Sequence, residues 1–120
     1  MSYNKITLIG RVGKDPELHE TQYGPYASFS LATSERGYTT ASGAEVPERT
    51  TWHNIIVRGE GLVNKVVMPY VHKGDMLFIE GKQENRTYDK QDGTKGFASE
   101  VYVNEIKLLG SRQENQNTTY

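Results

Sequence analysis

Two stretches of this chain place an aromatic ring and a cation where they could act on the same ligand. Trp52 and Arg58 stand at the two ends of WHNIIVR, and Arg86 and Tyr88 are two residues apart. An exposed ring can stack on another flat π system, and a nearby cation can attract phosphate. Unpaired nucleotides offer both targets, so the pattern indicates a site for single-stranded nucleic acid.

Two further pairs have similar chemistry. Arg36 and Tyr38 lie together in a polar stretch, and Lys5 and Arg11 share the polar positions of an alternating run. The indication comes from the joint pattern, because each single residue has a simpler explanation. These alternatives are Trp52 as the half-buried cover of a barrel end, Tyr88 as a cross-strand partner, and Tyr38 and Arg58 as solvated surface groups.

Motifs for enzyme chemistry are not found in the sequence. It has no cysteine and no GxSxG, HExxH, P-loop or GxGxxG motif. Its three histidines, His19, His53 and His72, match no metal-ligand spacing. We therefore expect a non-enzymatic protein that uses no metal ion and no cofactor.

The composition fits one soluble domain. The chain has 120 residues, of which 35% are hydrophobic and 24% charged. No apolar run is long enough to cross a bilayer and the N-terminus lacks a secretory signal, so we expect a cytoplasmic protein. The net charge of −1 counts against nucleic-acid binding by bulk charge. Eight Tyr, three Phe and one Trp favour binding by local stacking instead.

The run TTWHNIIVRG predicts a β-strand, because it is rich in β-branched residues and is followed by glycine. Side chains alternate between the two faces of a strand. One face carries His53, Ile55 and Val57, and the other carries Trp52, Asn54, Ile56 and Arg58. We expect the first face to pack in the core and the second to face outward.

Other alternating runs predict the remaining strands. They lie at 5–12, 26–33 and 76–82, with a short continuation of the first at 17–21. The Asp92-Gly93 pair predicts a hairpin turn that joins 83–90 to 94–104.

One segment has helical periodicity. Apolar residues recur at helical spacing in residues 60–71, which predicts a helix with Tyr70 on its buried stripe and an end near Pro69. Residues 34–49 are polar and contain Gly and Pro, so they are predicted to form a long loop.

The order of strands and helix indicates the fold. Strands do not alternate with helices, which argues against a doubly wound sheet. We predict an all-β domain at residues 1–110, a five-stranded OB-fold barrel with one α-helix between strands 3 and 4. The polar residues 111–120 are predicted to form a disordered tail.

Several segments together resemble the bacterial-type single-stranded DNA-binding proteins. They are NKITLIGRVGKDPE at 4–17, FSLATSE at 29–35, TTWHNIIVRG at 50–59, YVHKGDMLFIEGK at 70–82 and DGTKGFASEVYVNEI at 92–106. They follow one another in the family's order and spacing. The combination of LATSE, WH and KGDxxxIEG is much more specific than any of its parts.

The resemblance implies a function and a set of site residues. Proteins of this family have one OB fold per chain and wrap single-stranded DNA without sequence preference during replication, recombination and repair. They usually form homotetramers, and a homodimer is the alternative assembly. Trp52 and Tyr88 fall on the family's stacking positions, and Tyr38 falls on a third in the long loop. The family's basic positions correspond to Lys5, Arg11, Lys73 and Arg86, and a subunit-interface position corresponds to His53.

The residues and the resemblance together give one binding hypothesis. We expect bases to contact Trp52, Tyr88 and Tyr38. We expect phosphates to contact Lys5, Arg11, Arg58, Lys73, Lys82 and Arg86, with Asn54 on the same outward face. The alternative function is an OB-fold primosomal adaptor that mainly binds protein and binds DNA weakly.

Some positions depart from the family pattern. Arg58 stands where the family often has Phe, although a guanidinium can both stack on a base and meet a phosphate. Glu60 replaces a common Lys, which should weaken phosphate attraction, and Pro69 is unusual in the helix. The chain ends in ENQNTTY instead of an acidic, Phe-terminated tip. We therefore do not expect recruitment of repair proteins through such a tip, and the ending would suit a mobile-element or accessory paralogue.

Overall fold

Five strands close into a ring in the structure, a computed structural model that describes residues 1–111. Eight strands occur in the described residues: β1 (Ile6–Val12), β2 (Glu17–Thr21), β3 (Gly24–Glu35), β4 (Tyr38–Thr39), β5 (Glu45–Val46), β6 (Arg49–Arg58), β7 (Met76–Asp89) and β8 (Lys95–Gly110). The ring runs β1-β7-β8-β6-β3 and returns to β1. Only the β6–β8 pair is parallel in this ring. The predicted five-stranded OB-fold barrel is confirmed.

The core lies inside the ring, where alternate residues of each strand meet. Ala27, Phe29 and Leu31 of β3 and Ile55 and Val57 of β6 are buried, as the alternation predicted. They pack with apolar side chains of β7, β8 and the helical segment, which are Leu77, Ile79, Val101, Val103, Val63, Val67 and Val71. Burial of these side chains holds the barrel around a single core.

One helical segment covers the barrel, between its third and fourth main strands. It consists of α1 (Glu60–Leu62), a π-helical turn (Val63–Val67) and α2 (Met68–Tyr70). In the wide turn, the Met68 N–H donates to the Val63 carbonyl oxygen. The irregular turn directly precedes Pro69, which has no N–H to continue a regular hydrogen-bond ladder.

The prediction that Tyr70 packs on the buried stripe is wrong. Its side chain is exposed, whereas Val63, Val67 and Val71 are buried. These three valines follow one another at intervals of four residues and form the buried stripe of the helical segment. Tyr70 lies to one side of that stripe. The π-helical turn contains more residues per turn than an α-helix, so it changes which side chains after it point inward.

The predicted long loop contains several short stretches of strand. β3 and β6 extend into it and pair up to Glu35 and Arg49. Between them, β4 and β5 form a two-stranded hairpin in which Tyr38 faces Val46. The loop prediction was therefore wrong at these strand residues, because short polar strands lack the apolar alternation that identifies a strand.

β7 and β8 continue beyond the barrel as a two-stranded arm. The arm ends in the turn that Asp92-Gly93 predicted, where the Lys90 N–H donates to the Thr94 carbonyl oxygen at 2.9 Å. The Asp92 carboxylate accepts hydrogen bonds from the Thr94 N–H and hydroxyl, at 3.0 and 2.6 Å, which lower the pKa of Asp92. Apart from Ser111, the predicted disordered tail lies outside the described residues.

Candidate nucleic-acid interface

A groove opens where β6 and β8 separate. The two strands pair only at Asn54–Ile56 and Glu100–Tyr102, so the earlier part of each strand diverges from the other. The space between them has a volume of about 440 Å³. We call it the fork groove, and it is lined by Thr51, Trp52, His53, Asn54, Gln83, Tyr88, Phe97, Ala98, Ser99 and Val101.

Trp52 lies on the β6 side of the fork groove and is 60% exposed. The glycine at position 13 makes room for its indole. A Cβ at Gly13 would lie 2.5 Å from Cζ3 of Trp52 and 2.7 Å from the Ser30 hydroxyl. The indole of Trp52 therefore packs over the backbone just after the end of β1, while much of its surface remains exposed.

Tyr88 lies in the arm and lines the same groove, with 41% of its surface exposed. Its cross-strand neighbour is Gly96. The Arg86 guanidinium lies 5.5 Å from the centre of the Tyr88 ring, a distance at which a cation and a π face attract. The fold thus brings Trp52 and Tyr88 to one groove although they are far apart in sequence.

Phe97 is a groove residue that the sequence reasoning missed. It lies in the arm part of β8, lines the fork groove and is 80% exposed. Its register partner is Thr87, so it projects from the face of the arm opposite to Tyr88. The sequence did contain a signal for Phe97, because this large ring stands between two small residues, Gly96 and Ala98.

A second groove lies on the outward face of β3, β6 and β8 and has a volume of about 520 Å³. We call it the arginine groove. Its lining comprises His19, Tyr26, Ser28, Ile56, Arg58, Arg86, Glu100 and Tyr102. Ile56 lines this groove and is nearly buried, although it points outward with Trp52 and Arg58.

Two arginines project from the wall of the arginine groove. The Arg58 guanidinium lies 4.4 Å from the centre of the Tyr102 ring, a cation–π contact. Arg86 Nε–H donates to Oε1 of Glu100 at 2.8 Å, and the Tyr102 hydroxyl donates to the same oxygen at 3.1 Å. Glu100 is only 8% exposed, and it raises the pKa of Arg86. The arrangement holds both cations in defined positions.

Three aromatic residues of the arginine groove were also missed, His19, Tyr26 and Tyr102. His19 and Tyr26 stack with ring centres 4.5 Å apart and planes 14° apart, and His19 Nε2 lies 2.9 Å from the Ser28 hydroxyl. Their pairing depends on the β2–β3 register, which places them directly opposite each other. Spacing along the chain does not reveal that register.

The structure gathers some of the predicted contact residues and leaves others apart. Trp52, Asn54 and Tyr88 line the fork groove, and Arg58 and Arg86 line the arginine groove. Asn54 donates through Nδ2 to the Ser99 carbonyl oxygen at 3.3 Å, which bridges the fork. Within residues 1–111, the linings of the two grooves do not include Tyr38, Lys5, Arg11, Lys73 or Lys82.

The residues outside the grooves have other environments. Tyr38 is exposed in the β4–β5 hairpin. The Arg11 guanidinium donates to the Gly74 carbonyl oxygen at 3.0 Å, and the Lys73 backbone N–H donates to Asp15 at 2.8 Å. Lys5 pairs with Glu80 at 3.1 Å, and Lys82 pairs with Glu84 at 3.7 Å.

His53 lies on the inward face of β6 at the rim of the barrel and is half-buried. Its Nε2 is 2.9 Å from the Thr33 hydroxyl. Burial lowers the pKa of His53 below the ordinary value of 6.5, because removal from water disfavours the charged ring.

The described part of the chain has neither a cluster of metal-ligating side chains nor a helix suited to a membrane. Residues 1–111 contain no group of three or more His, Cys, Asp or Glu side chains that could hold a metal ion. No helix among these residues has the length and apolar character needed to span a membrane.

Sequence comparisons place the chain among known proteins. The family model described as "Single-strand binding protein family" matches residues 3–109. A "Single-stranded DNA-binding protein" of Bacteroides thetaiotaomicron is 43% identical over 116 residues, and this match covers 96% of the chain and 71% of the relative. A protein of the same name from Neisseria meningitidis is 40% identical, covering 96% of the chain and 64% of the relative. Both relatives thus extend beyond the matched part.

Solved structures agree with the sequence matches. A Plasmodium falciparum SSB, solved in complex with ssDNA, superposes with a TM-score of 0.76 at 30% identity and covers 92% of this chain and 96% of its own. A mitochondrial single-stranded DNA-binding protein of S. cerevisiae gives a TM-score of 0.71 at 28% identity, covering 92% and 99%. The chain belongs to the single-strand binding protein family.

Proposed function

We propose that this protein binds single-stranded DNA without sequence preference, by stacking bases on Trp52 and Tyr88. The observation that carries the proposal is the presence of these two exposed rings in one groove. Every base has a π face, so stacking gives affinity without reading sequence. Phe97 also lines this groove, on the face of the arm opposite to Tyr88, and is a further candidate ring for stacking.

Cations beside the rings bind the sugar-phosphate backbone in this proposal. Arg58 and Arg86 are the primary contacts, because both line the arginine groove and are held by neighbouring side chains. An arginine has five N–H donors, so Arg86 can contact a phosphate while it remains bonded to Glu100. Lys5, Arg11, Lys73, Lys82 and Tyr38 extend the contact surface beyond the grooves.

At the level of the whole protein, we propose a non-enzymatic homotetramer of the cytoplasm that coats and protects single-stranded DNA in replication, recombination and repair. Membership of the family supports this role. His53 is assigned to a subunit interface because it falls on an interface position of the family, and its ring is still partly exposed in the single chain. Light scattering tests the assembly. A mass four times that of the chain is expected, and a monomer mass would contradict the assignment of His53.

A titration with oligo-dT tests the binding site. Trp52 is the only tryptophan, so its fluorescence reports on the fork groove alone. Stacking of a base on the indole should quench the emission until the site is saturated. Fluorescence anisotropy of labelled oligo-dT follows binding independently, and duplex DNA of the same length serves as the control. Binding by anisotropy with unchanged Trp52 emission would contradict stacking there, and no binding would contradict the proposed function.

A further inference from the structure

We propose that Gly96 is a positioning residue for Tyr88. The absence of a side chain at position 96 provides the surface on which the Tyr88 ring rests, and this fixes where the ring meets a base. The inference rests on the proposed function, because it assigns a role to Gly96 in presenting one of the stacking rings.

The geometry around Gly96 leaves no room for a side chain. Tyr88 and Gly96 are directly opposite each other in the β7–β8 pair, and Gly96 is buried. A Cβ at Gly96 would lie 2.7 Å from Cε2 and 2.8 Å from the hydroxyl oxygen of Tyr88, with Cζ nearer still. Carbon atoms essentially never approach side-chain atoms this closely, so the ring would have to move.

The backbone itself does not require glycine at this position. The φ of Gly96 lies outside the left-handed region, unlike that of Gly93 in the adjacent turn, where φ is 88°. Alanine can therefore adopt the conformation of residue 96 without backbone strain. The Tyr88 ring is what excludes a side chain there.

Tyr88 is also held from a second direction. The Arg86 guanidinium lies 5.5 Å from its ring centre, and Arg86 is itself bonded to the buried Glu100. A ring that lies over Gly96 and beside a fixed guanidinium has few orientations available. This limits the conformational entropy that Tyr88 loses when a base stacks on it.

The three atoms nearest to a Cβ at Gly96 all belong to the far end of the Tyr88 side chain. A Cβ there would displace the Tyr88 ring, which can rotate about its own side-chain bonds, and need not displace a strand. Gly96→Ala should therefore preserve the fold and move the ring. This separation of ring position from stability makes the role of Gly96 testable.

NMR measures the position of the ring directly. A proton beneath an aromatic ring experiences its ring current, so a Gly96 Hα resonance should be shifted upfield in the unmodified protein. Tyr88→Ala should remove this shift, and Gly96→Ala should change the Tyr88 ring resonances. An unshifted Gly96 Hα would overturn the proposal without involving DNA.

Affinity for oligo-dT measures the consequence. Tyr88→Ala should weaken binding between roughly 5- and 150-fold, the range for losing one stacked base. Gly96→Ala should weaken binding by a similar factor, and the double variant should bind no more weakly than Tyr88→Ala alone. Gly61→Ala is the matched control, because a Cβ there would meet no described atom within 4 Å, and it should bind normally.

Besides the NMR result, three binding results would overturn the proposal. Gly96→Ala could bind as tightly as the unmodified protein, or it could weaken binding equally when Tyr88 is already absent, which would show an effect that does not pass through the ring. Tyr88→Ala could also bind normally, leaving Gly96 no binding role. The first two results leave the proposed function intact, whereas normal binding by Tyr88→Ala would also contradict stacking on Tyr88. Binding of single-stranded DNA itself fails separately, if oligo-dT does not bind.

Discussion

At the scale of single residues, the fork groove depends on rings that the fold leaves uncovered. Trp52 rests over Gly13 and exposes much of its surface, so its removal should not open a cavity in the core. Trp52→Ala should weaken oligo-dT binding between roughly 5- and 150-fold, because one stacked base is lost. Trp52→Phe should retain part of the affinity, since a smaller ring still stacks. Anisotropy titrations measure both.

Tyr38 provides the matched control for this prediction. It is 62% exposed, close to the value for Trp52, but lies in the β4–β5 hairpin outside both grooves. Tyr38→Ala should weaken binding less than Trp52→Ala. If the two substitutions weaken binding equally, the fork groove is not the main site of base stacking, and the prediction is wrong.

His53 predicts a pH dependence of stability. Burial lowers its pKa in the folded state, so the unfolded state takes up the proton first as the pH falls. The contribution of the neutral ring is fully present above the unfolded pKa of about 6.5 and is lost as the pH falls through the lower, folded value. His53→Gln should reduce this loss. Urea unfolding at pH 7.5 and pH 5 measures the difference between the two proteins.

A contrary result for His53 is easily recognised. If the unmodified protein and His53→Gln lose equal stability between the two pH values, the titration of His53 is not coupled to folding. The Thr33 hydroxyl lies 2.9 Å from the ring and can bond to the amide of Gln as well. The substitution therefore removes the titration while keeping a polar partner.

At the scale of elements, β7 must serve both the barrel and the arm. The β7–β8 register shifts between Glu80 and Gly81, close to where β7 stops pairing with β1. A Cβ at Gly81 would collide with the carbonyl oxygen of Tyr102, and this atom belongs to the backbone. The glycine is thus required by the close approach of two strands.

Gly81→Ala should destabilise the fold by about 1–3 kcal/mol, because a strand must move to admit the methyl group. Thermal and urea unfolding measure the loss. Gly61→Ala again serves as the control, since its Cβ would meet open space and alanine favours a helix by up to about 1 kcal/mol over glycine. Equal stability of the unmodified protein and Gly81→Ala would show that the strands yield at little cost.

The elements also show how far the sequence alone could reach. Alternation in β3 and β6 predicted which side chains enter the core, because burial of one face imposes period 2 on the sequence. The arm was harder to interpret, since both of its faces are exposed and alternation then carries no information. Phe97 was missed for this reason. The Tyr88–Gly96 contact depends on the hairpin register, although Asp92-Gly93 located the turn.

The pairing of charged residues could not be predicted from composition. Arg86 and Glu100 are far apart in the chain and meet only because β7 and β8 pair along the arm. The same applies to Lys5 and Glu80, which meet across the β1–β7 pair. Sequence identified these cations as candidate phosphate contacts, but it did not reveal that each has a carboxylate beside it.

At the scale of the whole molecule, the net charge of −1 and these ion pairs determine how salt should affect binding. Binding of single strands weakens with salt at a slope of roughly −0.7 in log K against log salt for each phosphate neutralised. When a phosphate displaces a carboxylate from a cation, the freed carboxylate takes up a counterion. This uptake offsets part of the counterion release, so the slope should be shallower than the number of contacting cations implies.

Removal of one such carboxylate tests this account. Lys82 and Glu84 form a 3.7 Å pair on either side of Gln83, which lines the fork groove. Glu84→Gln should tighten oligo-dT binding at low salt and steepen the salt slope, because Lys82 is then free to neutralise a phosphate. Glu45→Gln makes the same change of charge in the β4–β5 hairpin and should alter the slope less. If the two variants change the slope equally, net charge governs the salt response, and the paired carboxylates of the arm have no specific effect.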